Sequence, residues 1–425
     1  MNKISTEIKS GIKLHCIKTD LYKTDIACVI ITTPLRRESV TKNALIPFML
    51  RRGTNELPSQ YLINEQLENM YGASFNCGID KMGDNVILKF YIESIDNKYA
   101  LKKEDILKSN ISNLLDIVFN PVSRNGILNE QFLEIEKENL RKVIESKIDD
   151  KDAYAYENCI STMYDDEGFG IYKYGYIEDI KKITIKEISE YYKWLIQNSK
   201  IDIFVSGNID ERDILYYLMN NENIKKLIPR NENYILNNEF TERKQIVDKP
   251  REIQESMNVT QGKLVLGLDI LSNMENVNAV SLVYNAILGD GANSMMFQNV
   301  RERAGLAYSA KSTLVKQKKN IFIRCGIQIE NYEKALEIIK LQIENIKKGE
   351  FLETDISNAK TYLISGIKNV EYEQDTEIVY YIGQEISNTN MSLQEYIEKI
   401  EKVSKKDIID LANSIQLNTI YFLRN

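Results

Sequence analysis

The sequence predicts an α+β protein with two duplicated domains, each a mostly antiparallel sheet with helices packed on one face. Three observations lead to this prediction. Short runs rich in β-branched and aromatic residues recur along the chain, as is typical of buried strands. Segments with apolar residues at three- and four-residue spacing lie between them and indicate amphipathic helices. The order of these elements repeats about 220 residues later, which is typical of a domain duplication rather than of a short repeat.

The individual elements follow from these patterns. Six segments share the composition of strands: 26–32, 85–92, 201–206, 263–268, 321–327 and 419–423. Three long helices are predicted at residues 130–147, 185–197 and 332–348. Thr184 is the predicted N-cap of the second of these helices, and Glu187, three residues later, completes a capping box.

The domain boundaries are predicted from a change in composition near the middle of the chain. Residues 220–250 are polar and charged and end in Lys249-Pro250, which is typical of a linker. We therefore expect a first domain at residues 1–219 and a second domain at residues 251–425.

Composition and charge exclude several classes of function. The chain has 425 residues and a net charge of −7, which disfavours nucleic acid and anionic membranes as partners. Its one histidine, His15, cannot build a His-rich metal site, and a structural role is expected for it. The five cysteines are scattered and lack C-x-x-C spacing, as in reduced cytosolic proteins. The amino terminus has no apolar leader and no window is apolar enough to span a membrane, so we expect a cytoplasmic protein.

A segment in the first half resembles the signature of a known enzyme family. Residues 43–54 read NALIPFMLRRGT. The tail of this segment is similar to that of the insulinase/pitrilysin zinc peptidases, in which the inverted motif H-x-x-E-H precedes it. In that family two histidines bind zinc and the glutamate is the general base. The corresponding positions here are Ala44, Pro47 and Phe48, none of which can bind a metal or move a proton.

The resemblance has further consequences for the first half. Pro47 is costly inside a helix, so we expect the helix to begin close to it. The distal acidic ligand of the family would lie in the charged helix at 130–147. The candidates there are Glu134, Glu136, Glu138 and Glu145, and we expect these residues to form a solvated face of the helix rather than a metal site. The chain is therefore expected to bind no metal and to need no cofactor.

A second segment, unlike the first, retains the residues that are typical of the family signature. Residues 288–309 read LGDGANSMMFQNVRERAGLAYS, which is similar to the second-domain signature of the same family. The resemblance assigns substrate binding to Arg301 and Tyr308. The Arg fork can grip a carbonyl or carboxylate with two bonds, and the phenol can donate to a peptide carbonyl or an oxyanion. We interpret Gly289, Asp290 and Gly291 as a turn between helices rather than a phosphate loop.

These features identify the chain as a member of a ligand-less bacterial branch of the family, and the resemblance covers essentially its whole length. In two-chain members of the family one subunit supplies the zinc motif, the other supplies the Arg/Tyr pair, and they close like a clamshell around a peptide. The resemblance thus implies a non-catalytic subunit, shaped as half of a clamshell, that helps a zinc-bearing homologue bind a peptide. The alternative is a stand-alone peptide-binding or scaffold protein, and a homodimer also stays open.

Overall fold

The computed structural model describes residues 3–230 and 247–425. Each of the six predicted strands lies within an observed strand. The strands of the described part are β1 (Lys3–Lys9), β2 (Ile12–Lys18), β3 (Thr24–Pro34), β4 (Ser74–Met82), β5 (Asn85–Ile95), β6 (Ser123–Arg124), β7 (Ile127–Leu128), β8 (Lys200–Gly207), β9 (Arg251–Ser256), β10 (Gly262–Ile270), β11 (Ala307–Val315), β12 (Asn320–Ile327) and β13 (Ile415–Arg424).

The three predicted helices are confirmed to within two residues at each end, and so is the capping box of Thr184 and Glu187. The α-helices of the described part are α1 (Val40–Leu50), α2 (Gln60–Asn69), α3 (Ile106–Phe119), α4 (Glu130–Glu145), α5 (Lys151–Tyr164), α6 (Ile177–Ile180), α7 (Ile185–Asn198), α8 (Glu211–Asn220), α9 (Glu222–Lys226), α10 (Val277–Leu288), α11 (Tyr332–Lys347), α12 (Glu353–Val370), α13 (Gln374–Ile386), α14 (Leu393–Glu401) and α15 (Lys405–Asn413). A π-helix, Met296–Arg303, follows α10. Within residues 3–230 and 247–425, no helix combines the length and the apolar character that crossing a membrane requires.

The first unit is built on a six-stranded sheet with the order β1-β2-β8-β3-β5-β4. Neighbouring strands are antiparallel except β2 and β8, which run parallel. The central strand β3 is buried along its length, and its residues Ala27, Val29 and Ile31 contribute to a core shared with α1, α3 and α7. This core contains the motif helix α1.

The second unit repeats this arrangement. Its five-stranded sheet has the order β11-β12-β10-β13-β9, again antiparallel except for one parallel pair, β13 and β9. Strand β10 occupies the place of β3, and β13 the place of β8. The predicted duplication of a mostly antiparallel sheet with helices is therefore confirmed. The first unit adds only the edge strand β1.

Each unit also contains a helix from the other half of the chain. The first unit comprises residues 3–145, 171–230 and 374–383, and the second comprises 146–170, 247–373 and 384–425. In the second unit, α5 packs on β10 and β13, where Val265 and Tyr421 form a core with Cys159 and Met163. In the first unit, Gln374 at the start of α13 donates to the carbonyl oxygen of Ser206 at 3.0 Å.

The predicted linker, 220–250, lies partly outside the described residues, which resume at residue 247. Before that gap, residues up to Arg230 belong to the first unit. Lys9 donates to the carbonyl oxygens of Ile224 and Leu227 at the end of α9, at 2.9 and 2.6 Å. The buried guanidinium of Arg230 donates to the carbonyl oxygen of Ser199 at 2.9 Å. These contacts hold residues 222–230 on the first unit.

We expect limited proteolysis of the native chain to cut first between residues 220 and 250, because polar linkers are preferred nicking sites. Within that range, the contacts of Lys9 and Arg230 should make residues 222–230 the slower part to be cut. The two fragments should be of similar size on a denaturing gel. They should co-elute in native gel filtration, because α5 and α13 each complete the unit formed mainly by the other fragment.

The same experiment can contradict this organisation in two ways. A first cut inside residues 289–308 would show that the boundary is misplaced. Separation of the two fragments without denaturant would show that α5 and α13 do not hold them together.

Candidate functional site

The motif helix α1 carries the three positions of the lost zinc motif. The helix has almost no solvent-exposed face, because nearly every residue in it is buried, including Ala44 and Pro47. Ala44 is completely inaccessible, and Phe48 is half-buried against the core of the first unit. A metal site requires donor atoms around an accessible space, and α1 offers packed hydrocarbon instead.

The expectation that the helix begins close to Pro47 is wrong. The helix begins at Val40, so Pro47 lies in its third turn and leaves the carbonyl of Asn43 without its helical donor. Burial explains why the helix nonetheless continues, since the apolar residues on both sides of Pro47 are packed in the core. Asn43 is also buried, and its Oδ1 accepts from the Tyr191 hydroxyl at 2.7 Å.

A cysteine lies beside the motif helix and could in principle replace a lost ligand. The Cys77 thiol on β4 donates to the carbonyl oxygen of Pro47 at 3.3 Å. Burial raises the pKa of Cys77 to about 12, and the charge of Arg51 only partly offsets this rise. A cysteine binds a metal as the thiolate, whereas the raised pKa keeps Cys77 protonated as a thiol. The residues of this helix and its neighbour do not fit zinc.

The charged helix α4 contains one carboxylate that is not on a solvated surface. Glu134, Glu138 and Glu145 are exposed and pair with neighbours on the same helix, as expected. Glu136 departs from the expectation, because it is buried and pairs with Arg52, whose Nε lies 2.5 Å from Glu136 Oε1. A buried carboxylate needs a compensating cation, and a guanidinium next to α1 supplies that charge here.

In the second unit, Arg301 lies on the π-helix, Met296–Arg303. The wider turn of a π-helix is uncommon and recurs at functional sites. Met296 and Val300 are completely buried and fix this helix to the core, while the Arg301 side chain is 44% exposed. The Arg301 guanidinium lies over the Phe297 ring, 4.7 Å from its centroid, and its Nε is 3.5 Å from Glu302 Oε1.

Tyr308 lies on an irregularity of a different kind. On the edge strand β11, Ala307 pairs with Ile327 and Ser309 pairs with Gly326, so Tyr308 is the extra residue of a β-bulge. A bulge re-aims the side chain that it carries and is common next to active sites. Tyr308 is 69% exposed. Both residues predicted to bind substrate therefore lie on irregular backbone of one unit, with their polar groups in solvent.

The glycine-rich segment is a turn between α10 and the π-helix, as predicted. The Gly289 carbonyl accepts from the Ser312 N–H at 3.0 Å, and a side chain at Gly289 would collide with that strand. A cavity of about 220 Å³ opens beside the turn. Asp290 lines it, and its Oδ1 accepts from the Tyr362 hydroxyl at 3.3 Å. Burial raises the pKa of Asp290, and the hydrogen bond partly offsets this rise.

Sequence reasoning missed three features of these sites. The pairing of Arg52 with Glu136 joins residues far apart in the chain, and nothing local distinguishes Glu136 from its exposed neighbours. The π-helix leaves no compositional signal of its own. Gly305, which has a positive φ of 61°, is a sequence signal for the end of the π-helix, but it does not indicate the bulge at Tyr308.

The fold and the motif helix together define a class of protein: a relative of zinc peptidases that has kept their duplicated sheet-and-helix architecture without a metal-binding motif. Comparisons with known proteins agree. Residues 182–363 match the family description "Peptidase M16 inactive domain". The "Probable inactive metalloprotease YmfF" of Bacillus subtilis is 30% identical over 422 residues, which cover 98% of this chain and 97% of that protein. The chain thus belongs to the peptidase M16 family and is an inactive homologue within it.

Two further similarities extend over most of the chain. A crystal structure of a conserved protein from Enterococcus faecalis V583 has a TM-score of 0.90 and 26% identity, and the match covers 100% of this chain and 99% of that one. The mitochondrial-processing peptidase subunit beta of Saccharomyces cerevisiae is 24% identical over 399 residues, 89% of this chain and 81% of that protein.

We expect the purified chain to bind no stoichiometric zinc, because Ala44, Pro47 and Phe48 offer no donor and Cys77 is a thiol. Elemental analysis after mild chelation measures this directly, and about one zinc per chain would contradict it. Restoring the motif with Ala44→His, Pro47→Glu and Phe48→His should give no peptidase activity. An imidazole at the fully buried Ala44 should overpack the core, and this change alone costs about 1–3 kcal/mol in the free energy of unfolding.

Removing the Arg52 side chain should destabilise the protein, because it leaves the Glu136 carboxylate buried without a counter-charge. We expect Arg52→Ala to lower the free energy of unfolding by about 3–5 kcal/mol, measured by urea denaturation. Arg141→Ala is the matched control, since Arg141 pairs with Glu138 and Glu145 on the exposed face of the same helix. That control should cost less than about 1 kcal/mol. Equal losses in the two variants would show that the burial of Glu136 is not what matters.

Proposed function

We propose that this chain is the non-catalytic subunit of a heterodimeric zinc peptidase, in which it binds and positions a peptide for a zinc-bearing homologue. One observation carries the proposal. Arg301 and Tyr308 are exposed on a π-helix and a β-bulge of the second unit, whereas α1 has lost every donor of the zinc motif. Irregular backbone of these two kinds recurs at functional sites, which supports a peptide-binding role for both side chains.

The surroundings of Arg301 leave its hydrogen-bond donors available. Glu302 is half in solvent, so its contact with Arg301 is weak. The Phe297 ring supports the flat face of the guanidinium without using its N–H groups. Across the described residues, no side chain accepts a short hydrogen bond from Arg301. The fork is therefore available to a peptide carbonyl or a carboxylate.

The bulge at Tyr308 suits a residue that meets a ligand at an edge. The phenol is in solvent, while the flanking Ala307 is buried and anchors the strand. An exposed phenol donates to a carbonyl oxygen, or to an oxyanion that develops during peptide hydrolysis. In the proposed complex, Tyr308 and Arg301 would thus act on the same peptide, and the partner would supply the metal and the general base.

The partner is inferred to be a zinc-binding homologue of this family. The yeast relative is named as a subunit of a peptidase, which supports a role for this fold in multi-chain enzymes. A cytoplasmic location is proposed with it, because all five cysteines are buried thiols rather than disulfides. Co-purification with a zinc-containing peptidase of similar size is the direct test of the partnership.

In the assembled complex, Arg301→Ala should lower peptide hydrolysis and leave the complex intact. A charge-assisted hydrogen bond contributes about 1.5–3 kcal/mol, so we expect kcat/KM to fall by roughly 10- to 150-fold. Arg301→Lys keeps the charge and loses the fork, and should stay impaired. Tyr308→Phe removes only the hydroxyl, and its effect should appear mainly in kcat if that hydroxyl contacts the oxyanion.

Arg303→Ala is the matched control for these variants. Arg303 lies on the same π-helix, and its Nη1 donates to Asn299 Oδ1 at 3.0 Å within that helix. This variant should retain full activity. Full activity of all three site variants in an intact complex would favour the scaffold function instead.

A further inference from the structure

The cavity beside the glycine-rich turn has walls of two kinds. Its volume is about 220 Å³, and its lining belongs to the second unit: α10, α12 and the residues that follow α10. Ala286 and Ile287 on α10 and Ala359 on α12 form an apolar wall. Asp290 and the half-exposed Tyr362 contribute polar groups. The cavity therefore suits a ligand that has one apolar part and one polar part.

Asp290 supplies this cavity with a negative charge that lacks a counter-charge. Its Oδ1 accepts from the Tyr362 hydroxyl at 3.3 Å. Asp355, the other acidic residue of the lining, accepts from the Leu352 N–H at 2.8 Å in the cap of α12. Among the described residues, no lysine or arginine lines the cavity or pairs with Asp290. Burial raises the pKa of Asp290, and the neutral hydroxyl only partly offsets this rise. A cation at Asp290 Oδ2 would supply the missing charge.

The duplication of the fold offers an internal comparison for this cavity. By chain order α10 corresponds to α1 and α12 to α4, and the two helices of each unit pack on each other. In the first unit Arg52, two residues beyond α1, pairs with the Glu136 carboxylate on α4. In the second unit Asp290 lies two residues beyond α10 and accepts from the Tyr362 hydroxyl on α12. The place of an ion pair in the first unit thus holds a carboxylate and a cavity in the second.

We propose that this cavity binds an alkylguanidinium or alkylammonium group. The cation of the ligand pairs with Asp290, and its carbon chain lies against Ala286, Ile287 and Ala359. Long cationic side chains divide in the same way, with the stem on apolar surface and the charge at a polar end. The size agrees, since 220 Å³ is less than the roughly 300–1,000 Å³ of pockets for drug-sized molecules. A neutral ligand would leave Asp290 without a counter-charge, and an anion would be repelled by it.

Two kinds of molecule carry this chemistry. One is a peptide, through an arginine or lysine side chain, and the other is a free alkylamine or alkylguanidine. Both need the same pairing with Asp290, and a peptide adds contacts of its backbone outside the cavity. The inference does not depend on the proposed function, because the lining of the cavity includes neither Arg301 nor Tyr308 and requires no second chain.

The test is isothermal titration calorimetry on the full-length chain. The probes are n-butylguanidine and n-butylamine, and n-butanol is the neutral control of matching shape. We expect both cations to bind saturably at one site per chain. We expect n-butanol to bind at least about tenfold more weakly, because a hydrogen bond to a charged group exceeds one between neutral groups by about that factor.

Three variants locate the binding site. Asp290→Asn should weaken the binding of n-butylguanidine by roughly 10- to 150-fold, the range for a hydrogen bond to a charged group. This change removes a half-buried charge and no packing atom, so the unfolding temperature should not fall. Asp355→Asn is the matched control, because its side chain serves the cap of α12, and it should change binding less than about threefold. Asn358→Arg, on the exposed side of the lining, supplies a guanidinium from within and should abolish binding.

A blocked pentapeptide with one central arginine separates the two sources of the cation. Tighter binding of the peptide than of n-butylguanidine assigns the cavity to a peptide side chain, and equal or weaker binding assigns it to a free small cation. The proposal is overturned if neither butyl cation binds saturably, if n-butanol binds as tightly as they do, or if Asp290→Asn binds like the unchanged chain. Equal losses in Asp290→Asn and Asp355→Asn would also overturn it, since they would show a diffuse acidic surface rather than a pair with Asp290.

Discussion

The central strand of each sheet is buried on both faces, and this constraint shapes both units. β3 is inaccessible from Asp25 to Thr33, and β10 is inaccessible over most of its length. Such a strand needs apolar side chains packed against both faces of the sheet. Many antiparallel sheets have one face in solvent and need such packing on the other face only. In β10, Leu264 and Leu266 face one core and Val265 faces another, which α5 completes. The positions of the helices therefore follow from the need to cover the apolar side chains of β3 and β10.

The same constraint explains how far the sequence could predict the fold. A strand buried on both faces reads as a continuous apolar run, so β3, β8 and β10 could be recognised directly. The edge strand β9 is mostly exposed and its sequence, REIQES, has no apolar run, so it was not predicted. That α5 packs on the second sheet was also beyond the sequence, because periodicity shows that a helix has an apolar face but not which sheet that face meets.

The two candidate sites differ in what a sequence can reveal. The loss of the zinc motif can be recognised from residue types alone, because Ala44, Pro47 and Phe48 have no side chain that binds a metal or transfers a proton. The surroundings of Arg301 and Tyr308 depend on backbone geometry, since the π-helix and the bulge arise from how two elements of the second unit meet their core. Pro47 is the opposite case, because the local rule against proline in a helix is overridden by the packing of the residues around it.

The presence of α13 residues in the first unit has a consequence for how the chain is made. During translation, the first half of the chain emerges from the ribosome long before Gln374 has been synthesised. Until then the carbonyl oxygen of Ser206 lacks the hydrogen bond that the Gln374 amide donates to it in the finished protein. The early half must therefore wait in an incomplete form while almost the entire message is translated. Incompletely folded forms of this kind are prone to misassembly, so the speed of elongation becomes a determinant of yield.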